Sequence, residues 1–223
     1  KISYMNDIAN LCERMGANID DVAKGMSYDD RIGANFLKAG IGYGGSCFPK
    51  DTKALRFQAQ QAGYRLRTVE AAVEVNTEQK TRLFAKASNR MITFEHLKVA
   101  VLGLAFKPGT DDLREAPSLD NVQLLLDAGA DIYAYDPVAD ENFKKKYPEG
   151  RNGNGTMHYV KDPEEALGNA HICFVFTEWN QIKELKAERF KALMQAPLVY
   201  DGRNVFDKKE MADNQVEYYS MGR

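Results

Sequence analysis

The sequence changes its period at Lys98. Upstream, apolar residues recur at helical spacing. Downstream, short apolar runs alternate with helical segments. Val99–Leu102, Asp131–Tyr135, His171–Thr177 and Leu198–Tyr200 read as strands. Glu115–Ala128, Asn142–Tyr147, Asp162–Gly168, Ile182–Met194 and Lys208–Met211 read as helices, with Asp162 as an N-cap and Pro163 at the first helical position. Arg151–Thr156 reads as a loop, and Val216–Tyr219 as an edge strand. Such alternation calls for parallel strands joined by crossover helices. The expected fold class is therefore α/β: an all-helical region over 1–97, then a Rossmann-like doubly wound parallel sheet over 98–223.

In such sheets a ligand binds beyond the C-terminal ends of the strands. Three strand ends here carry polar or flexible residues: Gly103 to Arg114, Tyr135-Asp136, and Asp201-Gly202-Arg203. The first begins like a dinucleotide fingerprint, but the spacing of Gly103 and Gly109 does not give G-x-G-x-x-G, so it is a poor match for NAD pyrophosphate. Lys107 is placed to meet a phosphate or hydroxyl, and the Arg203 fork suits a phosphate. Each also has an ordinary reading: Lys107 and Arg203 as surface charges, Asp136 as the cap of a turn before Pro137.

The helical region begins with Ile2, Met5, Ile8, Ala9, Cys12 and Met15 on one face of a helix that stops at Gly16. Nothing before Ile2 caps it, so the helix start is expected to lie upstream. Cys12, on the apolar face, reads as core. Asp20 and Asp21 open a short helix to about Met26. Tyr28–Lys38 reads as a solvated turn with Phe36 as an anchoring aromatic. Pro49–Ala62 reads as a helix stopped by Gly63. Arg67–Met91 contains no Gly or Pro, and its apolar stripe runs through Val69, Ala72, Val73, Asn76, Leu83, Phe84, Ala87 and Met91. One helix of that length extends about 37 Å, which suits a spine that links domains and packs against another subunit.

Between these helices lies Gly40-Ile-Gly-Tyr-Gly-Gly-Ser-Cys-Phe-Pro-Lys-Asp51. Four glycines in six residues let backbone approach a ligand closely. The pattern places Cys47 just before a helix that starts near Pro49, with Lys50 beside it. A helix N-terminus and a lysine favour the reactive thiolate, and neighbouring N–H donors make an anion site next to a nucleophile. The competing reading is a glycine turn with a small buried cysteine.

Composition excludes several classes. The 223 residues carry 30 basic and 32 acidic side chains, a net charge of −2, so no nucleic-acid partner is implied. Three unpaired cysteines suggest a reducing, cytoplasmic compartment. The scattered His96, His158 and His171, without Cys-x-x-Cys, argue against a metal. No apolar run approaches a membrane span, and Lys1 opens no signal peptide.

The segment GIGYGGSCFPKD resembles the active-site segment of the nucleotide-sugar dehydrogenases, the UDP-glucose/GDP-mannose 6-dehydrogenase family. GLAFKPGTDDLRE, from Gly103 to Glu115, resembles that family's nucleotide-sugar-binding domain. The resemblance covers the whole chain as a middle and C-terminal portion. It implies oxidation of a sugar C6 alcohol to a carboxylate, UDP-glucose to UDP-glucuronate in the nearest reading, by two hydride transfers to NAD. Cys47 would form a thiohemiacetal and then a thioester, and Asp51 would position or activate water. Gly40, Gly42, Tyr43 and Gly44 would lie along the sugar, with Phe36 and Lys38 leading into the loop. Arg31 would reach across a homodimer interface built on helix 67–91. Phe106, Lys107 and Arg203 would contact the nucleotide sugar, and Lys50 and Arg114 would face NAD.

The family's N-terminal NAD domain has no counterpart here, nor do its acid/base Lys and Asn or a first-domain Glu; Asn6 is not that Asn. The chain is therefore expected to be a portion of a longer enzyme, binding a nucleotide sugar weakly and not turning over by itself. Alternatives are another nucleotide sugar (UDP-ManNAc, UDP-GlcNAc or GDP-mannose), or a non-catalytic nucleotide-binding or dimerisation module.

Overall fold

A computed structural model describes residues 1–223. The helical region comprises α1 (Ile2–Met15), α2 (Ile19–Ser27), α3 (Cys47–Gln61), α4 (Arg67–Lys80) and α5 (Arg82–Arg90). Then follow β1 (Lys98–Leu102), α6 (Pro117–Asp127), β2 (Asp131–Tyr135), α7 (Asp140–Lys144), β3 (Gly150–Asn152), β4 (Gly155–Tyr159) and α8 (Pro163–Leu167). The chain continues through β5 (Ile172–Val175), α9 (Asn180–Lys183), α10 (Ala187–Leu193), β6 (Leu198–Asp201), α11 (Lys208–Asp213) and β7 (Glu217–Tyr219).

The seven strands form one sheet in the order β3-β4-β2-β1-β5-β6-β7. Every pair is parallel except β3–β4. β1 and β5 are buried along nearly their whole length, as a sheet covered on both faces requires. From β1 the chain runs outward to β2 and β4, then returns to β5 and runs outward the other way. The switch point is therefore the cleft between the C-terminal ends of β1 and β5. Gly103 has φ +89, and a Cβ there would lie 2.7 Å from the Thr177 backbone nitrogen, so only glycine lets these two strand ends approach.

The sheet core extends into the helical region. Ile41, Leu83, Ala87 and Phe94 pack in the same apolar cluster as β1 and β5. A second, small cluster of Met5, Ala9, Cys12, Ile19, Leu37 and Ala39 holds α1, α2 and the approach to the glycine loop. Cys12 is buried there, as its spacing predicts.

Several sequence expectations need correction. The spine is not one helix: it breaks at Thr81, with φ −98 and ψ 3, because an asparagine of α6 enters it. Helix α3 begins at Cys47 itself, two residues before Pro49. Residues 151–156 are not a loop but a β-hairpin that places β4 against β2. Asn152-Gly153-Asn154-Gly155 is a hairpin signature, with Gly153 at φ +59. The segment 182–194 holds two short helices, α9 and α10. Phe36 is no buried anchor: it is 58% exposed, at φ 66.

Candidate active site

The glycine loop lies over the switch point and is fixed from four sides. Asn6 on α1 accepts the Gly40 N–H at 2.8 Å, and Gln79 on α4 donates to the Gly40 carbonyl at 2.7 Å. The Ile41 N–H donates to Gly202 O at 2.9 Å, and the Gly45 N–H to Arg114 O at 2.7 Å. Asn76 holds both ends of Tyr43: its Oδ1 accepts the Tyr43 N–H at 2.8 Å and its Nδ2 donates to Tyr43 O at 3.1 Å. Asn6, Asn76 and Gln79 are all buried. Sequence reasoning missed them. Asn76 passed for part of an apolar stripe, although an amide on such a stripe is itself the sign of a buried partner.

The glycines are required by close packing. A Cβ on Gly45 (φ +81) would lie 2.7 Å from the Phe106 ring. A Cβ on Gly44 would lie 2.5 Å from Glu115 O, and one on Gly42 2.7 Å from Asn76 Oδ1.

The loop delivers Cys47 to the first position of α3, exposed to solvent. The first N–H groups of a helix have no intrahelical partner, and Ser46 supplies no side-chain cap. Ser46 Oγ lies 3.8 Å from Cys47 Sγ. Because α3 starts at Cys47, Lys50 and Asp51 fall three and four residues along the same helix and share its face. They form an exposed pair at 3.6 Å. Phe48 points toward Tyr43 and Phe36, with ring centroids 5.8 and 6.2 Å apart.

Across the loop stands the first strand end. Lys107 lies 5.3 Å over the Phe106 ring and is exposed. Arg203, after β6, is the tie between loop and sheet. Its Nε donates to Phe176 O at 2.8 Å, Nη1 to Gly42 O at 3.2 Å and Nη2 to Phe106 O at 3.0 Å. Burial lowers its guanidinium from the ordinary value against the pull of Glu178, 3.4 Å away, and Asp201. Three of its five N–H groups are thus engaged on backbone. Arg114 is exposed beside the loop. Its hydrogen bond to Asp112 holds it above its usual value, with Cys47 close enough to add a smaller pull the same way.

Glu115 joins the two halves. Lys53 of α3 donates to it at 2.7 Å and the buried Lys80 at 2.5 Å. These bonds, Lys53's first, hold its carboxyl at about 2. Lys53, Lys80, Glu115, Asn76 and Tyr43 line a polar cavity of about 370 Å³. A larger groove of about 630 Å³ runs along α1 and α4 past Phe36, Tyr43 and Phe48. It is mostly apolar, with Lys1 and Asp7 as its charged lining residues, and touches neither Lys107 nor Arg203.

Two predicted residues stand apart. Arg31 is exposed and folds back onto Asp29, with Nη2 donating at 2.6 Å. Lys38 is also exposed. Asp136, at the end of β2, occupies the place where a dinucleotide fold keeps the acid for the ribose. Here its carboxylate accepts the N–H groups of Leu104, Ala105, Val138 and Ala139 and of the Trp179 ring, at 2.7–3.0 Å. It shapes the crevice and has no free face for a ribose.

The fold is thus a doubly wound sheet whose switch point is roofed by a glycine loop ending on an exposed cysteine. Comparison with known proteins specifies the class. Residues 1–78 match the central domain of the UDP-glucose/GDP-mannose dehydrogenase family, and residues 100–208 match its UDP binding domain. The chain belongs to this family. It is 43% identical over 224 residues to the UDP-glucose 6-dehydrogenase TuaD of Bacillus subtilis, spanning all of this chain and 47% of that protein. It is 44% identical over 227 residues to a UDP-glucose 6-dehydrogenase of Rhizobium meliloti, spanning all of this chain and 50% of that protein. The solved UDP-glucose dehydrogenase of Pyrobaculum islandicum superposes with a TM-score of 0.84 at 32% identity, covering 97% of this chain and 46% of that one. The chain thus spans about half the length of the curated relatives it matches.

Proposed function

We propose that residues 1–223 form the substrate-handling part of an NAD-dependent UDP-glucose 6-dehydrogenase, with 1–97 as the helical central domain and 98–223 as the UDP-binding domain. The observation that carries this reading is Arg203: a single guanidinium ties the loop that presents Cys47 to the switch point of the sheet. A nucleotide in that crevice lays its sugar along Gly42–Gly45. Lys107 and Arg203 meet its oxygens, and Phe106 closes the side.

The residues here suit the aldehyde stage. The Cys47 thiolate adds to the C6 aldehyde carbon, and the former carbonyl oxygen takes a proton to give a thiohemiacetal. Loss of hydride from C6 together with the hydroxyl proton leaves a thioester. Water, oriented by Asp51 one turn along α3, adds to the thioester and expels the thiolate, releasing the acid. The uncapped N–H groups of α3 face the negative charge that develops on the oxygen of this carbon. NAD, as hydride acceptor, supplies the oxidising power when bound. This sheet does not fit it: Asp136 is engaged and the glycine spacing is wrong. Lys50 and Arg114, exposed beside Cys47, are the residues of this chain suited to face it.

The spine, with α3, serves a homodimer. Residues 1–223 alone bind a nucleotide sugar weakly and do not reduce NAD. Calorimetric titration of UDP-glucose against GDP-mannose tests the reading, with Lys107→Ala as control. UDP-glucose binding weakened about tenfold or more by the substitution, as the loss of a charged hydrogen bond implies, supports it. Equal or absent binding of both nucleotides contradicts it.

A further inference from the structure

The break in the spine has an identifiable cause. Asn121, fully buried on α6, donates through Nδ2 to the Lys80 carbonyl at 2.7 Å and accepts the Phe84 N–H at 3.3 Å. That carbonyl and that N–H are the pair an unbroken α-helix would join to each other. The amide has entered the ladder at one rung, and such an insertion bends a helix sharply. The second Nδ2 hydrogen goes to Pro117 O at 2.7 Å, so the wedge is braced by the first turn of its own helix.

The two sides of the break serve different surfaces. Before it, Asn76 and Gln79 hold the Tyr43 and Gly40 peptides, and Lys80 holds Glu115. After it, Leu83 and Ala87 are buried in the sheet core. The wedge comes from the helix that immediately follows the Phe106–Glu115 segment, so one side chain links the crevice to the grip on the glycine loop.

We infer that Asn121 is a positioning residue for the Cys47 loop: it holds the spine bent at Thr81 so that Asn76 and Gln79 stay on Tyr43 and Gly40. Its importance for turnover rests on the dehydrogenase reading, whereas the positioning itself is measurable without turnover. Removing the amide lets Lys80 O and Phe84 N–H pair directly, the spine straightens, and the grip slackens.

The test is residue-resolved hydrogen exchange on Asn121→Ala, with Asn121→Ser, which keeps a hydroxyl at the site, read in the same way if the alanine variant does not fold. The Tyr43 amide, bonded to Asn76 Oδ1 on the spine, is expected to exchange at least about tenfold faster, while β1 and β5 amides stay within about twofold of wild type. Cys47 alkylation is expected to change with the loop. A parallel rise at β1 and β5 would mean that Asn121 only adds stability, and that outcome overturns the inference. So does an unchanged rate at Tyr43. Failure of the dehydrogenase reading shows separately, as absent UDP-glucose binding by the unsubstituted chain.

Discussion

Cys47 differs from the other two thiols by environment. It is exposed, whereas Cys12 and Cys173 are buried and burial pushes the Cys173 thiol well above its usual value. Iodoacetamide under native conditions is therefore expected to label Cys47 at least about tenfold faster than either, read by peptide mass mapping; equal rates would remove the nucleophile from the account. Asn76 carries a second expectation at this scale. Its amide satisfies both the N–H and the carbonyl of Tyr43 from a buried position, so Asn76→Ala leaves polar groups unpaired and costs about 1–3 kcal/mol in urea unfolding. The cysteine and its glycines were legible in the sequence because their residue types are chemically unusual together. The amides that hold them were not, because Asn and Gln declare their partners only once distant segments meet. Arg203 shows the same limit. It was legible as a fork at a strand end, but its backbone partners, Gly42, Phe106 and Phe176, come from three other segments.

At the scale of elements, α3 is held to the sheet by charge more than by packing. Of its residues only Pro49 is buried. Glu115, from the turn before α6, binds Lys53 on α3 and Lys80 on α4. The carboxyl sits at about 2 in the folded chain, below the ordinary 4.5. Its contribution to stability is thus fully present above pH 4.5 and is lost as pH falls from there toward 2. Urea midpoints of the wild type and Glu115→Gln are expected to differ at pH 6 and to converge near pH 2. A gap that stays constant with pH would contradict the linkage. Helices and parallel strands were largely legible, since periodicity is a local signal. The break at Thr81 was not, because its cause lies on α6. The hairpin of β3 and β4 was legible in principle from its two Asn-Gly steps, and reading residues 151–156 as a loop overlooked that turn chemistry.

At the scale of the molecule, the first helix and the last residues are locked together. Glu13 of α1 accepts from Lys86 Nζ at 2.6 Å and from the Gly222 N–H at 2.8 Å, and it pairs with Arg82 at 3.2 Å. Removing it strands a mostly buried lysine, so Glu13→Ala is expected to cost about 2–4 kcal/mol in urea unfolding. Helix α3 exposes Phe48 and Leu55 on one side and Phe57 on the opposite one. If a second copy covers it together with the spine, sedimentation velocity will show a dimer that Leu55→Glu shifts toward monomer. A monomeric wild type would contradict the homodimer. No helix is long and apolar enough to cross a membrane.

The central claim is that the Cys47 loop and the strand-end crevice are one site for a nucleotide sugar. The most direct measurement is the rate of Cys47 alkylation with and without UDP-glucose. The account predicts that millimolar UDP-glucose slows labelling of Cys47 several-fold, about the occupancy effect expected of a weak site, while glucose alone has no effect and Lys107→Ala removes the protection. A rate that stays unchanged while UDP-glucose is shown bound by calorimetry would place the nucleotide away from the cysteine and contradict the account.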